Sequence, residues 1–397
     1  MENLIHVSDQ LIAGVTLKYS RYLSNQINWD NRLIGIKGAR GTGKTTLVLQ
    51  WLKKEGLPSH KRVYFSLDEL YFTQNDLMDT INEFYQNGGK IVVLDEVHKY
   101  PGWSMVIKNL YDRYQDLKII FTGSSIIDIS RQESDLSRRS LMYELKGLSF
   151  REFLSFEHDL NYDPFSLQKI LNQSDNIREV FPNDFRPYEY FDEYLRFGYY
   201  PFYQEDRVGH YQRINQLIRT IVEYDMAEIK GFDIRQAKKM LQLLAIISKQ
   251  VPFKPNLKSL AEKSGIHRNS ISNYLIYLEE ARLISLRYQE GISIAGLQKP
   301  EKIFLDNTTI LNALSRANPD KGAMREVFFN NQLSVVHRVN HGKHVDFVVD
   351  EELYFEVGGK NKGNSQLPTG EKAWVVKDQL EYPVGKSLPL WLFGFLY

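Results

Sequence analysis

The segment GARGTGKT, residues 38–45, matches in full the eight-position pattern of a phosphate-binding loop, Gly-x-x-x-x-Gly-Lys-Ser/Thr. An apolar strand-like run precedes it and the helix-like TLVLQWL follows, which is the context that this pattern requires. Glycines let the backbone curl so that successive N–H groups point at phosphate oxygens, a lysine adds charge, and a threonine offers a hydroxyl to a metal ion. The sequence therefore predicts a phosphate site made by Gly38, Ala39, Arg40, Gly41, Thr42, Gly43, Lys44, Thr45 and Thr46.

Strand-like and helix-like segments alternate after this loop. A strand at RVYFSLDE from Arg62 precedes a helix at DLMDTINEFYQ from Asp76, and a strand at KIVVLDEVH from Lys90 precedes a helix from Trp103 to Tyr114 and a strand at KIIFTGSS from Lys118. Such alternation favours a parallel sheet covered by helices, in which ligands bind at the carboxyl ends of the strands. We therefore expect the loop and the polar ends of IVVLDE and IIFTGSS at one edge of the sheet.

Two carboxylates end the strand IVVLDE. Asp95 is predicted to hold magnesium together with Thr45, because Mg²⁺ prefers oxygen ligands and keeps several waters beside the phosphates. Glu96 is predicted to orient or deprotonate the attacking water. An apolar strand that ends in Asp-Glu is commonplace, but in combination with the loop it predicts a hydrolytic site.

Further polar residues are weaker candidates for this site. The hydroxyls of IIFTGSS, that of Ser124 among them, are placed to sense a phosphate, and a role as N-cap of the next helix is the equal alternative. Arg138 and Arg139 are candidates for the cation of a phosphoryl-transfer transition state, in cis or from a neighbouring subunit of a homo-oligomer. A solvated basic turn is the alternative for both arginines.

The composition limits the other classes of function. The 397 residues include no cysteine, which excludes disulfides, thiolate zinc sites and cysteine nucleophiles, and a net charge of +1 leaves any contact with nucleic acid to a local basic face. The N-terminal segment lacks a signal-peptide pattern and predicts a helix on the first domain. No uncharged apolar run approaches the roughly 20 residues that span a bilayer. We expect a cytoplasmic protein without a membrane segment, whose apolar end LPLWLFGFLY forms a final buried strand.

A helix-turn-helix pattern occupies residues 257–286, with Gly265 in the turn and a strand-like run after the second helix. The second helix is predicted to turn inward its residues Ile271, Tyr274, Leu275 and Leu278. Double-stranded DNA would be met by the outward residues near its start, which are His267, Arg268, Asn269 and Asn273. Winged helices also dock proteins, and the acidic residues of this segment keep that alternative open.

The motifs GARGTGKTTL, VYFSLDE, IVVLDEVHKYPGW, IIFTGSS and LKGLSFREFL together resemble the AAA-family ATPases of the AAA_14 and DUF4143 type. The resemblance covers nearly the whole chain. It implies ATP as the nucleotide, Mg²⁺ as its ion and hydrolysis as the activity. It also implies that a helical region, a winged helix and a restriction-endonuclease-like domain follow the AAA-like core.

In the nuclease fold of that family, Asp and Glu hold magnesium and a lysine two residues after the Glu assists the water. Glu326, Asp346 and Glu356 match the carboxylates, but Gly358 occupies the lysine position. The next lysines are Lys360 and Lys362. Because the developing charge loses an electrostatic partner, we interpret the tail as an inactive structural remnant.

These patterns predict an α/β protein in four parts. They are a P-loop ATPase domain with a parallel sheet at 1–148, a helical connector at 149–249, a winged helix-turn-helix at 250–298 and a small α/β nuclease-like domain at 299–397. The leading hypothesis is an ATPase whose nucleotide state controls DNA or partner binding by the C-terminal half. The alternatives are a slowly hydrolysing switch or scaffold that acts through protein contacts, and an ATP-dependent nuclease.

Overall fold

The strands of the N-terminal part of the chain are apolar along most of their length, as the sequence predicts. The structure is a computed structural model that describes residues 1–123, 136, 138–172, 177–226, 234–289, 299–315, 318–363, 367 and 372–397. It divides into two compact units, Met1–Gly147 and Leu148–Tyr397. The described strands of the first unit are β1 (Leu33–Lys37), β2 (Arg62–Ser66), β3 (Ile91–Asp95), β4 (Lys118–Gly123) and β5 (Leu141–Glu144).

These strands form one parallel sheet in the order β2-β3-β4-β1-β5. Most side chains of β1 to β4 are buried, which is typical of a parallel sheet with helices on its faces, whereas the edge strand β5 is partly exposed. In register, Ser66 pairs with Asp95 and Ile36 pairs with Thr122. The carboxyl ends of β3, β4 and β1 are thus neighbours, and the loop after β1 begins at this edge.

Helices α1 (Glu2–Gly14), α2 (Lys44–Glu55), α3 (Leu77–Gln86) and α4 (Trp103–Arg113) accompany the sheet. Helix α3 starts where Asp76 accepts a hydrogen bond from the Asp79 amide at 2.9 Å, which satisfies one of the free N–H groups of the first turn. The Ser8 hydroxyl of α1 accepts a hydrogen bond from the Tyr64 amide of β2 at 2.8 Å. The predicted N-terminal helix is therefore confirmed, and it packs on this sheet.

Helices dominate the start of the second unit, as the apolar periodicity predicts. They are α5 (Phe150–His158), α6 (Leu167–Asn172), α7 (Pro187–Phe197), α8 (His210–Thr220) and α9 (Ala237–Ser248). At the start of α5 the Ser149 hydroxyl accepts the Glu152 amide proton and the Glu152 carboxylate accepts the Ser149 amide proton, both at 3.1 Å, so two otherwise unpaired N–H groups are satisfied. Within the described ranges, no helix combines the length and the apolar character needed to cross a membrane.

Two helices and a strand follow in the order predicted over residues 257–286, and this strand pairs with a later one in a two-stranded antiparallel sheet. They are α10 (Leu257–Ser264), α11 (Ile271–Glu280), β6 (Ile284–Arg287) and β7 (Lys302–Leu305). Gly265 ends α10 with φ of +66°, a conformation that favours glycine. On the predicted inward face of α11, Tyr274 is half-buried and three residues are fully buried: Ile271, Leu275 and Leu278.

The tail of the second unit is a small α/β arrangement. Helices α12 (Thr308–Leu314) and α13 (Lys321–Leu333) precede a second sheet. Its strands lie in the order β12-β11-β10-β9-β8, and they are β8 (Val339–Asn340), β9 (Phe347–Val349), β10 (Leu353–Gly358), β11 (Ala373–Lys377) and β12 (Ser387–Pro389). Strand β10 is antiparallel to β9 and parallel to β11. The division of this unit into three domains, at 249 and 298, stays a prediction.

The expectation of a final buried strand is wrong in part. The apolar end is buried, but after β12 the chain forms a 3-10 helix, Leu390–Phe395. The short rise of this helix keeps Trp391 and Phe395 near each other, and both rings contact that of Phe181, with centroids 5.3 and 5.5 Å away. In an extended strand, residues four apart would face the same side of the sheet. They would lie about 13 Å apart, too far for both to contact the ring of Phe181.

Candidate functional site

The loop between β1 and α2 has the backbone that a phosphate site needs. Gly41 and Gly43 have φ of +82° and +93°, values that residues with a Cβ atom rarely adopt. Gly43 is the N-cap residue of the 12-residue helix α2, and as a glycine it has no side chain to cap the first turn of this helix. Its N–H groups and the positive end of the helix dipole therefore face the loop, an arrangement that favours an anion.

Lys44 and Arg21 both contact the carbonyl groups of this loop. The Lys44 ammonium, on a side chain that is almost fully buried, donates to the Gly38 and Ala39 carbonyls at 3.0 Å each. The Arg21 guanidinium donates to the Thr42 carbonyl at 2.5 Å and to the carbonyls of Lys146 and Gly147 at 2.7 and 3.0 Å. Arg21 thus ties the loop to the segment that follows β5.

Asp95 is the centre of a hydrogen-bond network that joins the loop to the strand ends. The carboxylate is 1% exposed. Its Oδ2 accepts from the Thr45 hydroxyl at 2.6 Å and from the Tyr64 hydroxyl at 2.7 Å, and its Oδ1 accepts from the Thr122 hydroxyl and from the Glu96 amide, the latter at 3.1 Å. Four donors offset the cost of burying this charge.

The residues around Asp95 suit magnesium. A carboxylate and the hydroxyl of Thr45 are hard oxygen donors, and Mg²⁺ next to phosphates commonly needs one or two protein ligands of this kind. Because Thr45 donates its proton to Asp95, the lone pairs of its oxygen point away from that carboxylate and are available to a cation. In the described part of the chain, no group of three or more His, Asp or Glu side chains is arranged to hold a metal ion. The loop site, which would draw its remaining ligands from phosphate and water, does not require one.

Glu96 lies at the same edge in a strained conformation. Its φ of +52° and ψ of +43° are left-handed, which costs a non-glycine residue about 1 kcal/mol or more. Its carboxylate lies 3.4 Å from Nε2 of His98. The side chain of His98 is fully buried, whereas that of Glu96 is 24% exposed. The strained backbone and the buried imidazole hold this carboxylate at the strand end, within reach of solvent.

The weaker candidates lie in different places. Ser124 falls outside the described residues. Arg40 is half-buried and Arg138 is exposed. Arg139 makes a two-pronged ion pair with Asp112 of α4, at 2.9 and 3.0 Å, and this hydrogen-bonded guanidinium lowers the pKa of Asp112. The catalytic roles of both arginines stay predictions.

In the second unit, the residues proposed to meet DNA are all exposed. They lie in the turn before α11 or on its first turn, and they are His267, Arg268, Asn269 and Asn273. The Asn269 amide donates to Nδ1 of His267 at 3.3 Å, which shapes this turn. Their contact with DNA stays a prediction.

In the tail, the side chain of Lys362 lies beside Gly358, the position at which the nuclease pattern has a lysine. A Cβ at Gly358 would lie only 2.7 to 2.8 Å from the Cβ, Cγ and Cδ atoms of Lys362, so the stem of Lys362 fills the space beside Gly358. Its ammonium lies 2.6 Å from Oε2 of Glu356, and Lys360 is exposed. Burial alone would lower the pKa of Lys362, but the hydrogen bond to Glu356 and the nearby carboxylates raise it overall. Of the two lysines that next follow Gly358 in the sequence, it is Lys362 whose side chain lies beside that position.

A second lysine neutralises the other two carboxylates of this cluster. Lys302 of β7 lies 2.5 Å from Oε2 of Glu326 and 3.7 Å from Oδ1 of Asp346, while Asp346 also accepts the Val357 amide proton at 3.0 Å. Burial raises the pKa of Glu326 despite this lysine. The three predicted carboxylates are therefore close together, but two internal ammonium groups share their charge.

Comparison with known proteins supports the assignment of the first unit. Residues 30–154 match the family AAA_14, described as an AAA domain, and residues 188–321 match a domain of unknown function, DUF8612. An uncharacterized protein of Methanocaldococcus jannaschii is 30% identical over 299 residues, which cover 72% of this chain and 62% of that protein. The chain thus spans less than two thirds of this relative. The family matched after the AAA domain is DUF8612, whereas the sequence suggested DUF4143.

Two solved structures are similar at low identity. AMPPCP-bound DnaA from Aquifex aeolicus is 16% identical with a TM-score of 0.26, covering 70% of this chain and 87% of that one. PCH-2 of C. elegans is 15% identical, also with a TM-score of 0.26, covering 69% of this chain and 67% of that one. At TM-scores this low, neither structure assigns a role to any residue of this chain. The loop, β3 and β4 lie inside the segment that matches the AAA domain.

The sequence motifs did not predict five hydrogen bonds of this site, which are donated by Arg21, Tyr64 and Thr122. The carbonyl groups that accept from Arg21 belong to residues 21, 125 and 126 positions later in the sequence, and no local sequence pattern predicts such contacts. Tyr64 and Thr122 reach Asp95 from the strands on either side of β3. Strand order was the missing signal, because a hydroxyl within a strand is informative only when the neighbouring strand is known.

Replacement of Gly38 by alanine tests the close packing of the loop. A Cβ there would lie 2.4 Å from the backbone oxygen of Leu145, which cannot rotate away. We expect Gly38→Ala to lower stability by about 1 to 3 kcal/mol through overpacking, seen as a lower thermal midpoint. Gly14→Ala is the matched control, since nothing lies within 4 Å of a Cβ there. Equal midpoints for the two variants would contradict the close approach.

Proposed function

We propose that this protein binds ATP and hydrolyses it with magnesium, and that its nucleotide state regulates binding of DNA or a protein partner by the C-terminal half. The observation that carries the proposal is the 2.6 Å hydrogen bond from Thr45 of the loop to Asp95 of β3. It brings together the two sequence motifs that hydrolysis requires. The AAA match over residues 30–154 supports ATP as the nucleotide.

Binding in this site would depend on the loop and on Lys44. The loop amides and the first turn of α2 would hold the phosphate oxygens, and Lys44 would exchange its carbonyl partners at Gly38 and Ala39 for phosphate. Thr45 and Asp95 would hold Mg²⁺, which when bound neutralises charge on the phosphates. Catalysis of this kind is mainly positioning and electrostatics.

Glu96 would orient and deprotonate the attacking water. Its carboxylate is partly exposed at the strand end that carries Asp95, and His98 beside it limits its rotation. A general base must lie within hydrogen-bond reach of the proton that it removes. The alternative function is a nucleotide switch or scaffold that hydrolyses little ATP. It would use the same binding residues and would differ only in that Glu96 does not activate water.

Two variants separate binding from hydrolysis. Lys44→Ala should weaken ATP binding by about tenfold to a hundredfold, because a charged hydrogen-bond donor is lost. Glu96→Gln should bind ATP as tightly as the wild type but hydrolyse it about 100 to 10,000 times more slowly in single-turnover assays, because a general base is lost.

The matched control for Glu96 is Glu55→Gln, the same chemical change at an exposed position at the end of α2. It should leave both quantities unchanged. Hydrolysis that is unchanged in Glu96→Gln, together with lost binding in Lys44→Ala, would overturn the role of Glu96 with the attacking water. A wild-type protein that binds ATP but hydrolyses little of it in a single turnover would instead favour the nucleotide switch.

The C-terminal half offers a surface for duplex DNA. The helix-turn-helix of α10 and α11 is followed by the antiparallel pair β6 and β7, which is the order of a winged helix. One basic and several polar side chains are exposed at the start of α11, where such modules contact base edges and phosphates. A docking site for a protein is the alternative.

Salt dependence distinguishes these partners. Duplex affinity should fall steeply with added salt, and Arg268→Ala should weaken binding and reduce the slope of log affinity against log salt by about 1, because one phosphate contact is lost. Arg338→Ala removes another exposed arginine of the same unit, outside the helix-turn-helix, and should leave the slope unchanged. Binding that is absent or insensitive to salt would favour protein docking. Measurements with and without ATP in Glu96→Gln test the coupling to nucleotide.

One observation favours a second candidate function, ATP-dependent cleavage of DNA. The ammonium of Lys362 lies 2.6 Å from Glu356, and its stem lies beside Gly358, the position that the nuclease pattern gives to a lysine. Against it, Lys302 already pairs with Glu326 and lies near Asp346, so a magnesium ion would compete with an internal cation. We therefore keep the proposal that the tail is structural.

Incubation with supercoiled plasmid and magnesium tests this part of the proposal. The wild-type protein should leave the plasmid intact, because the carboxylates are neutralised from within. Nicking that requires magnesium and disappears in both Asp346→Ala and Lys362→Met would instead establish the nuclease. Lys360→Met is the control, since Lys360 is exposed and two residues away.

A further inference from the structure

Asp95 has one hydrogen-bond donor that the phosphate-site motifs do not supply. The Tyr64 hydroxyl of β2 donates to Oδ2 at 2.7 Å, and its side chain is buried like the carboxylate itself. Thr45 donates to the same oxygen at 2.6 Å. The two remaining donors, the Thr122 hydroxyl and the Glu96 amide, both occupy Oδ1.

This sharing of oxygens fixes the orientation of the carboxylate. A turn about the Cβ–Cγ bond of Asp95 would break the contacts of Tyr64 and Thr45 together. Tyr64 reaches Asp95 through a rigid ring on a buried strand, whereas a threonine hydroxyl rotates freely about one bond.

The orientation of Asp95 in turn fixes that of Thr45. With its proton on Oδ2, the Thr45 oxygen presents its lone pairs away from the carboxylate, as a metal ligand must. We propose that Tyr64 is a positioning residue that holds Asp95 so that Thr45 presents its lone pairs to magnesium. This inference rests on the proposed function. It gives a role to Tyr64 of β2, which lies in the segment VYFSLDE but for which the sequence predicted none.

A merely structural role makes a different prediction. A buried tyrosine hydroxyl usually finds a partner, and its loss would then affect stability alone. The positioning role predicts a change in the response to magnesium, with no change in how the loop binds nucleotide without metal. The two roles therefore differ in a binding measurement that needs no turnover.

The experiment titrates a fluorescent ATP analogue against the full chain, in EDTA and at a series of magnesium concentrations. Tyr64→Phe removes only the hydroxyl. Its affinity in EDTA should stay within about twofold of the wild type, and the magnesium concentration for half-maximal tightening should rise about fivefold to tenfold, as expected for a lost hydrogen bond to a charged group. In a Thr45→Ala background the same change should shift the magnesium response less, because part of the effect of Tyr64 passes through Thr45.

The matched control is Tyr85→Phe. The Tyr85 hydroxyl donates to Oδ1 of Asp116 at 2.6 Å, so the same type of bond is lost just before the amino end of β4, at the edge opposite the loop. Its magnesium response should equal that of the wild type. An unchanged response in Tyr64→Phe, an equal shift in Tyr85→Phe, or a full further shift in the Thr45→Ala background would overturn the inference.

Failure of the inference and of the proposed function are distinguishable. A wild-type protein that binds no nucleotide overturns both. Wild-type binding that magnesium tightens, and that Tyr64→Phe leaves unchanged, overturns the positioning role alone. Thermal midpoints of all variants, measured in parallel, show how much protein is folded at the titration temperature, and the titration is run at a lower temperature for any variant that melts early.

Discussion

The hydrogen bond from Thr45 to Asp95 joins two segments that lie 50 residues apart in the chain. It can form because β1, β4 and β3 are neighbours and run in the same direction, so the loop after β1 opens beside the end of β3. An antiparallel β3 would carry Asp95 to the far edge of the sheet. The chemistry of the site thus depends on strand order and direction, which the apolar runs of the sequence secure by burying both faces.

The sequence predicted the components of this site better than their connections. The loop, Asp95 and Glu96 are recognisable because each belongs to a short motif whose chemistry is local. Tyr64 and Arg21 are not, because their partners come from segments that only the tertiary fold brings near. The left-handed conformation of Glu96 was equally hidden, since glutamate carries no conformational signature of the kind that glycine gives to the loop.

In the second unit the sequence predicted the elements well and their ends less well. The helices α10 and α11 follow from apolar periodicity and a single glycine between them. The final 3-10 helix, in contrast, has a contact between Trp391 and a ring from a distant part of the chain. The tail lysine shows the same limit. A motif search asks for lysine at a fixed spacing, whereas the turn at 359–361 returns the side chain of Lys362 to Gly358.

Strand β7 links the helix-turn-helix to the tail through charge. Lys302 finds its carboxylates on Glu326 and Asp346, and Arg287 of β6, whose pKa burial lowers to about 10, donates to Asn330 at 2.5 Å. A fragment that ended before residue 321 would uncover both cations at once. Affinity for a polyanion measured on such a fragment would include attraction by Lys302, whose charge the intact chain neutralises, and by Arg287, which the intact chain buries. The excised fragment is therefore a biased reporter of what the whole protein binds.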